Sequence, residues 1–284
     1  MIQKSPLRYP GSKPWILSYI EQVIQDNGFL GSTIIEPYAG SAIVSLSMVE
    51  RNICPNAILI ERDPLLYAFW RCVFECSEAL INRINNTEID MNAWIQYSAF
   101  REFDFFNENH LLDMGMAGLF LNRTCYSGIL KAGPLGGHGQ ESQYTLDCRF
   151  KKAKIIEWIK HLAKLHSRIQ VVFSDALDFL YQLNNDNQFF LYLDPPYYAK
   201  GKSLYRYWYE DNDHKNLARY LHECHFPWLL SYDDHPRIRE LYNDEEVFKR
   251  DLTIGYFANQ KRIAPEILIS NLEIPPWMFK IEAN

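Results

Sequence analysis

Residues 33–41 read Thr33-Ile34-Ile35-Glu36-Pro37-Tyr38-Ala39-Gly40-Ser41, and the fold turns on them. Three β-branched residues followed by an acid make a short buried strand, and a proline with small residues makes a tight turn. An apolar helix over 42–50 follows at once. A second strand, Ala57-Ile58-Leu59-Ile60, is closed by Glu61-Arg62-Asp63-Pro64, with another helix from near Leu65. Strand, turn, helix, strand and acidic tip form half of a doubly wound α/β unit. Upstream, Ile16, Ile20, Val23 and Ile24 recur at helical spacing over 14–25, and Gly28 stops that helix. Downstream, 169–173, 189–193, 228–232 and 266–270 read as further strands. Between the two halves, 78–119 is polar, aromatic and helical in character. Residues 122–150, rich in Gly, Ser and Tyr, read as loop and hairpin. The stretch 151–167 is a basic amphipathic helix with Ile155, Ile156, Ile159, Leu162 and Ala163 on one face. The expected organisation is one α/β domain built from 1–77 and 166–284, with an inserted, mostly helical and hairpin segment at 78–165.

A chain of 284 residues with 48% hydrophobic content buries a core without disulfides and is not disordered. No apolar run reaches the roughly 18–20 residues needed to cross a bilayer, and the first residues lack the apolar region of a secretory signal. A cytoplasmic protein with no obligate protein partner is expected. Cys54, Cys72, Cys76, Cys125, Cys148 and Cys224 include no C-x-x-C pair, and no histidine cluster completes a zinc site, so free thiols and no metal are expected. The net charge of −6 argues against nucleic acid, but its distribution points the other way. Between 118 and 168 stand nine basic residues and three acidic ones, giving +6 and leaving −12 for the rest. Such asymmetry suits a local polyanion-binding surface, with a solvated helix face as the alternative.

The chemistry concentrates at strand ends, where open α/β sheets bind ligands. A small-residue turn after the first strand lets the backbone approach a ligand, and Glu61 at the second strand end suits ribose hydroxyls. Neither G-x-G-x-x-G nor a P-loop is present, which disfavours dinucleotides and ATP hydrolysis. The sharpest feature is Asp194-Pro195-Pro196-Tyr197. Methylating an exocyclic amine of a base is hard because its lone pair is delocalised into the ring. The Asp194 carboxylate and the Pro195 carbonyl can together accept both N–H hydrogens and steer that lone pair outward. Tyr197 offers a face for a flipped base. His214 reads as a cap-region or DNA-facing residue rather than a base. Asp233 and Asp234, after a strand, read as a solvated loop.

These elements resemble the Dam-type, D12 class of DNA adenine-N6 methyltransferases. The shared series is Arg8-Tyr9-Pro10-Gly11-Ser12-Lys13, Glu36-Pro37-Tyr38-Ala39-Gly40-Ser41, Glu61, Asp175 and Asp194-Pro195-Pro196-Tyr197, in the family's order over nearly the whole chain. The resemblance implies a Rossmann-like sheet using S-adenosylmethionine, with the inserted segment reading duplex DNA. It implicates Tyr9 and Lys13 in closing over the cofactor. The turn with Tyr38, Ala39, Gly40 and Ser41 would wrap its methionine portion, Glu61 would take the ribose, and Asp175 with Ala176 the adenine. Asp194, Pro195 and Tyr197 would hold the target base, with Asp194 also bordering the cofactor. Residues 121–128 look like the family's stretch before its DNA-reading hairpin, which makes Arg123, Tyr126, Ser127, Lys131, Arg149, Lys151 and Lys152 the candidate DNA contacts. Where GATC-specific members have Asn and Arg, this chain has Ser127 and Lys131, and lysine does not reproduce bidentate reading of guanine. The expected activity is adenine-N6 methylation at a sequence other than GATC. Cytosine-N4 or RNA-base methylation, and a catalytically lapsed cofactor-sensing DNA-binding protein, are the alternatives.

Overall fold

The computed structural model of the protein describes residues 5–184, 188–258 and 260–276, with the backbone alone over 253–258 and 260–265. Among the described residues seven strands make one sheet: β1 (Thr33–Glu36), β2 (Ala57–Glu61), β3 (Ile169–Phe173), β4 (Phe189–Leu193), β5 (Trp228–Asp233), β6 (Phe248–Ala258) and β7 (Gln260–Ser270). Their order is β3-β2-β1-β4-β5-β7-β6. The first five are parallel, while β7 runs antiparallel to β5 and to β6. The direction of winding reverses between β1 and β4, where the carboxyl ends of both strands splay open a crevice. β6 and residues 260–265 of β7 carry no alternating signal that sequence reading picked out.

The central strands β1, β2, β4 and β5 are buried on both faces, as a parallel sheet requires, while the edge strand β3 is partly exposed. Ile34, Leu59, Phe190 and Leu229 point into one core, and Ile35, Ile60, Leu191 and Leu230 into the other. The second face is covered by Asp211–Glu223 and Pro236–Leu241. The first is covered by Leu17–Asp26, Ile43–Glu50 and Pro64–Glu75, and also by helices of the inserted segment. Of these, Leu111–Thr124 lies directly on Pro64–Glu75. A Cβ at Gly115 or Gly118 would strike the carbonyl oxygens of Ala68 and Leu65, so the two helix backbones touch. The inserted segment therefore shares the core of the α/β body, and it does so beyond Thr124 as well, through Leu130, Leu146, Phe150, Ile155, Ile159 and Leu162. There the expected hairpin is a series of turns and 3-10 segments: among the described residues, only an isolated bridge pairs Cys125 with Pro134. All six cysteines are free. No described helix is long and apolar enough to cross a membrane.

Candidate active site

The crevice is built from the β1 turn. Glu36, the last residue of β1, is buried, and its Oε2 accepts the Ser45 N–H at 2.9 Å, satisfying the start of Ile43–Glu50. Burial pushes its carboxyl up to about 8. The turn closes through Gly40 at φ +45° and Ala42 at φ +50°. Gly40 is required by contact as well as by angle: a Cβ there would lie 2.7 Å from the Tyr9 ring, which packs over the turn. Trp70 Nε1 donates to the Gly40 carbonyl at 3.0 Å, and the Ser12 and Ser41 hydroxyls meet at 3.0 Å. The segment 9–13 is thereby folded onto the turn that it precedes by some thirty positions.

Two hollows adjoin across this turn. One, of about 580 Å³, is lined by Glu61, Arg62, Asp175, Ala176, Arg206 and Tyr207. The other, of about 340 Å³, is lined by Gly11, Lys13, Glu36, Ser41 and Tyr192. Tyr9, Tyr38, Gly40, Asp194 and Tyr205 border both. Glu61 is buried and accepts the Gly40 N–H at 3.0 Å and the Asp63 N–H at 2.9 Å, one on each oxygen. Burial, and then the neighbouring Asp63, push it up to about 7. Asp175 caps Ala176–Leu180 through the Leu177 N–H at 3.0 Å and accepts from Arg62 at 3.0 Å. The Tyr38 hydroxyl meets that of Tyr209 at 2.8 Å.

At the end of β4, Asp194 Oδ1 accepts from Lys13 Nζ at 2.6 Å and from the Ser231 hydroxyl at 2.9 Å. Both bonds fall on one oxygen, so Oδ2 is unengaged among the described residues. The Pro195 carbonyl likewise takes no hydrogen bond among them. Lys13 is almost wholly buried. Burial works against its charge, but Asp194 and Glu266 outweigh that and hold its pKa above the usual lysine range. The Tyr197 hydroxyl donates to Glu266 Oε1 at 2.9 Å and accepts from Lys13 at 3.3 Å. Burial, then Asp194 and Glu266, raise its pKa. The loop after Tyr197 is tied down by Asp233, whose two oxygens accept the N–H groups of Tyr198 at 2.9 Å and Ala199 at 3.0 Å. Asp233 is thus a loop anchor and not a solvated residue, while Asp234 pairs with Arg239. His214 is buried, with Nδ1 2.6 Å from the Tyr232 hydroxyl, and is neither exposed to DNA nor part of this cluster. No group of three or more potential metal ligands occurs among the described residues.

The inserted segment uses its basic residues in two ways. Arg123 is buried and donates to the Pro6 carbonyl at 2.5 Å and the Ser5 carbonyl at 3.2 Å, so it braces the N-terminal segment and offers nothing outward. Burial, with Arg8 and Arg149 nearby, pushes it down to about 10. Lys152 donates to the Asn85 carbonyl at 2.9 Å. Lys131 donates to the carbonyls of Lys202 and Tyr205, the latter at 2.7 Å. Tyr126, Ser127, Arg149, Lys151 and Lys154 are exposed, and Ser127 sits at φ +56°.

A family model for the D12 class of N6 adenine-specific DNA methyltransferases matches residues 9–254. The chain belongs to this family. Over 272 residues it is 21% identical to the type II methyltransferase M.CviBI of Paramecium bursaria Chlorella virus NC1A, spanning 95% of this chain and 98% of the relative. It is 24% identical over 233 residues to the type II methyltransferase M.MjaIII of Methanocaldococcus jannaschii, with 75% and 78% covered. Among solved structures, a precorrin-6y C5,15-methyltransferase from Geobacter metallireducens GS-15 aligns over 88% of this chain and 84% of its own, at a TM-score of 0.35 and 11% identity.

Several residues of this candidate site escaped sequence reading, among them Ser231, Tyr205, Arg206 and Glu266. Arg206 lines the larger hollow and donates to Asp63 at 2.7 Å and to the carbonyls of Arg101 and Phe103 at 2.7 and 3.1 Å, linking the hollow to the inserted segment. Its signal was only an arginine in a run of aromatics. Glu266 had a plainer signal, a carboxylate heading an otherwise apolar strand.

Proposed function

We propose that this methyltransferase is site-specific and transfers a methyl group from S-adenosylmethionine to N6 of an adenine flipped out of duplex DNA. The observation that carries the reading is the Asp194 carboxylate at the point where the winding reverses: one oxygen is held by Lys13 and Ser231 and the other is left for a ligand. The adjoining hollows fit the cofactor. Glu61 has a lone pair left on each oxygen for ribose hydroxyls, Asp175 and Ala176 border the adenine end, and Glu36, Gly40 and Ser41 border the methionine end. S-adenosylmethionine, when bound, supplies an electrophilic methyl on a sulfonium.

The residues of the chain do the rest by positioning and hydrogen bonding. Asp194 Oδ2 and the Pro195 carbonyl accept the two N6 hydrogens. The nitrogen's electron pair is then freed from the ring and aimed at the methyl carbon. Tyr197 offers its ring to the base, whose flipping costs a few kcal/mol. The exposed Tyr126, Ser127, Arg149 and Lys151 lie on the outer surface of the insertion and face duplex DNA. Ser127 and Lys131 support a recognition sequence other than GATC. A modification role in a restriction–modification setting accords with the type II relatives.

Asp194→Ala tests the reading. The variant should melt as a folded protein and lose about 10²–10³-fold in single-turnover methyl transfer, the usual cost of a positioned transition-state hydrogen bond. Retention of more than half the wild-type rate overturns the assignment. Single-molecule mapping of modified bases in DNA from expressing cells identifies the base and its sequence context.

A further inference from the structure

Glu266 lies in β7, and its place beside the active site follows from strand direction. Because β7 runs antiparallel to β5, residue 266 pairs with Asp233 at the carboxyl end of β5, level with the crevice. The side chain is 3% exposed. Its Oε1 accepts the Tyr197 hydroxyl at 2.9 Å; its Oε2 has no hydrogen-bond donor among the described residues and stands 3.7 Å from Lys13 Nζ. Lys13 has three N–H groups, and all three are taken: by Asp194 Oδ1, by the Tyr197 hydroxyl at 3.3 Å and by the Gly11 carbonyl at 3.3 Å. Among the described residues the cluster therefore holds two carboxylates for one buried cation, and the second is left half unsatisfied.

Stability does not account for this arrangement. A buried carboxylate with a bare oxygen costs free energy, and without it Lys13 and Asp194 would remain as a neutral, hydrogen-bonded pair. Burial, offset by Lys13 and reinforced by Asp194, raises the carboxyl's pKa, which marks the same strain. We propose that Glu266 is a positioning residue for methyl transfer: it fixes the Tyr197 ring through the hydroxyl and gives the Lys13–Asp194 pair one excess negative charge. That charge strengthens Asp194 as an acceptor of N6–H while positive charge develops on the amine nitrogen. The inference rests on the proposed roles of Asp194 and Tyr197.

Two substitutions separate the roles. In Glu266→Gln the amide oxygen still accepts from Tyr197, but the charge is gone. In Glu266→Ala both are lost. Single-turnover methyl transfer on duplex DNA should fall about tenfold or more in Glu266→Gln, the effect of one charged contact, with KM values for DNA and S-adenosylmethionine unchanged. It should fall further in Glu266→Ala, and the fluorescence rise of 2-aminopurine at the target position should shrink in that variant alone. Glu266→Gln, which keeps the acceptor for Tyr197, should melt at or above the wild-type temperature, whereas Glu266→Ala, which leaves the buried Tyr197 hydroxyl without its acceptor, should melt lower. Wild-type rates in both variants, or a rate in Glu266→Gln that falls only alongside stability, overturn the proposal. Asp194→Ala is measured in parallel. If it keeps the wild-type rate, the functional reading itself fails. If it alone is slow, only the role of Glu266 is refuted.

Discussion

The carboxyl ends of the sheet and the segment 118–168 are both marked by charge in the sequence, yet the fold uses that charge in opposite ways. At the sheet ends, acids from four separate strand ends converge on one crevice, and Asp194 keeps an oxygen for a ligand. In 118–168, Arg123 is buried, and Lys131, Lys152 and Arg168, though exposed or half-buried, also spend donors on backbone carbonyls. A linear charge count adds such residues to a binding surface although the fold has already engaged their donors. What distinguishes the two regions is whether a polar group is left with capacity after the chain's own buried groups are satisfied.

The largest effect should come from the crevice. Glu61→Ala should weaken S-adenosylmethionine binding roughly ten- to a hundredfold, since a charged hydrogen-bond acceptor is worth about 1.5–3 kcal/mol. Its carboxyl sits near 7, so a hydroxyl donor favours the ionised form, and calorimetric affinity should climb as pH rises through 7 in the wild type. Stability runs the other way. In the folded chain Glu36 and Glu61 hold protons more tightly than at their ordinary value of 4.5. Without ligand, the contribution of these two groups to stability should be full below 4.5 and be lost as pH rises through about 7 and about 8. An affinity unchanged by Glu61→Ala, or flat with pH, removes the carboxylate from the ribose site.

Arg123 sharpens the comparison, being a residue that resembles a DNA contact and is placed as a brace. Removing its guanidinium leaves the Ser5 and Pro6 carbonyls without their donor. Arg123→Ala should cost about 1–3 kcal/mol in unfolding free energy, the penalty of unsatisfied buried groups, and leave the salt dependence of DNA binding as it was. A normal melting temperature with a flattened salt response would return Arg123 to the DNA surface.

The parallel half of the sheet was legible because each strand is a short apolar run ending in an acid or a proline, a local signal at residues 33–36, 57–61 and 189–193. The crevice was legible because ligands collect at such ends. Glu266 stands out locally as an acid heading an apolar stretch, but its place in the crevice does not, since that depends on β7 pairing antiparallel with β5, a long-range choice written in neither strand alone. Asp233 was misread for a related reason: its partners are the N–H groups of Tyr198 and Ala199, which only the adjacency of β4 and β5 brings near. The inserted segment reads as helical over 78–119 and as loop from 122, whereas the last helix of that stretch runs on to Thr124. Its share in the main core rests on Gly115 and Gly118, whose lack of a side chain gives no hint of which helix they meet.

The smallest effect, and the one that most directly maps the DNA surface, concerns Arg149, Lys151 and Lys154. Their side chains are exposed, and none makes an ion pair among the described residues. Replacing all three by Gln should make the slope of log K against log salt shallower by about 0.9 for each phosphate no longer neutralised, and weaken every DNA sequence alike. Lys152→Gln is the internal contrast: its ammonium is already bound to the Asn85 carbonyl, so the slope should hold. Substitutions at Ser127 or Lys131 should act on a different axis, changing discrimination between sites by about 1–3 kcal/mol with little change in slope. For Lys131 that shift requires the ammonium to leave the Lys202 and Tyr205 carbonyls when DNA binds, which makes it the more demanding of the two. Titrations at several salt concentrations on cognate and altered duplexes separate the classes. Should the triple variant keep the wild-type slope while Lys152→Gln flattens it, exposed charge would be the wrong guide to this surface, and the distinction between free and engaged donors would fail where it is easiest to measure.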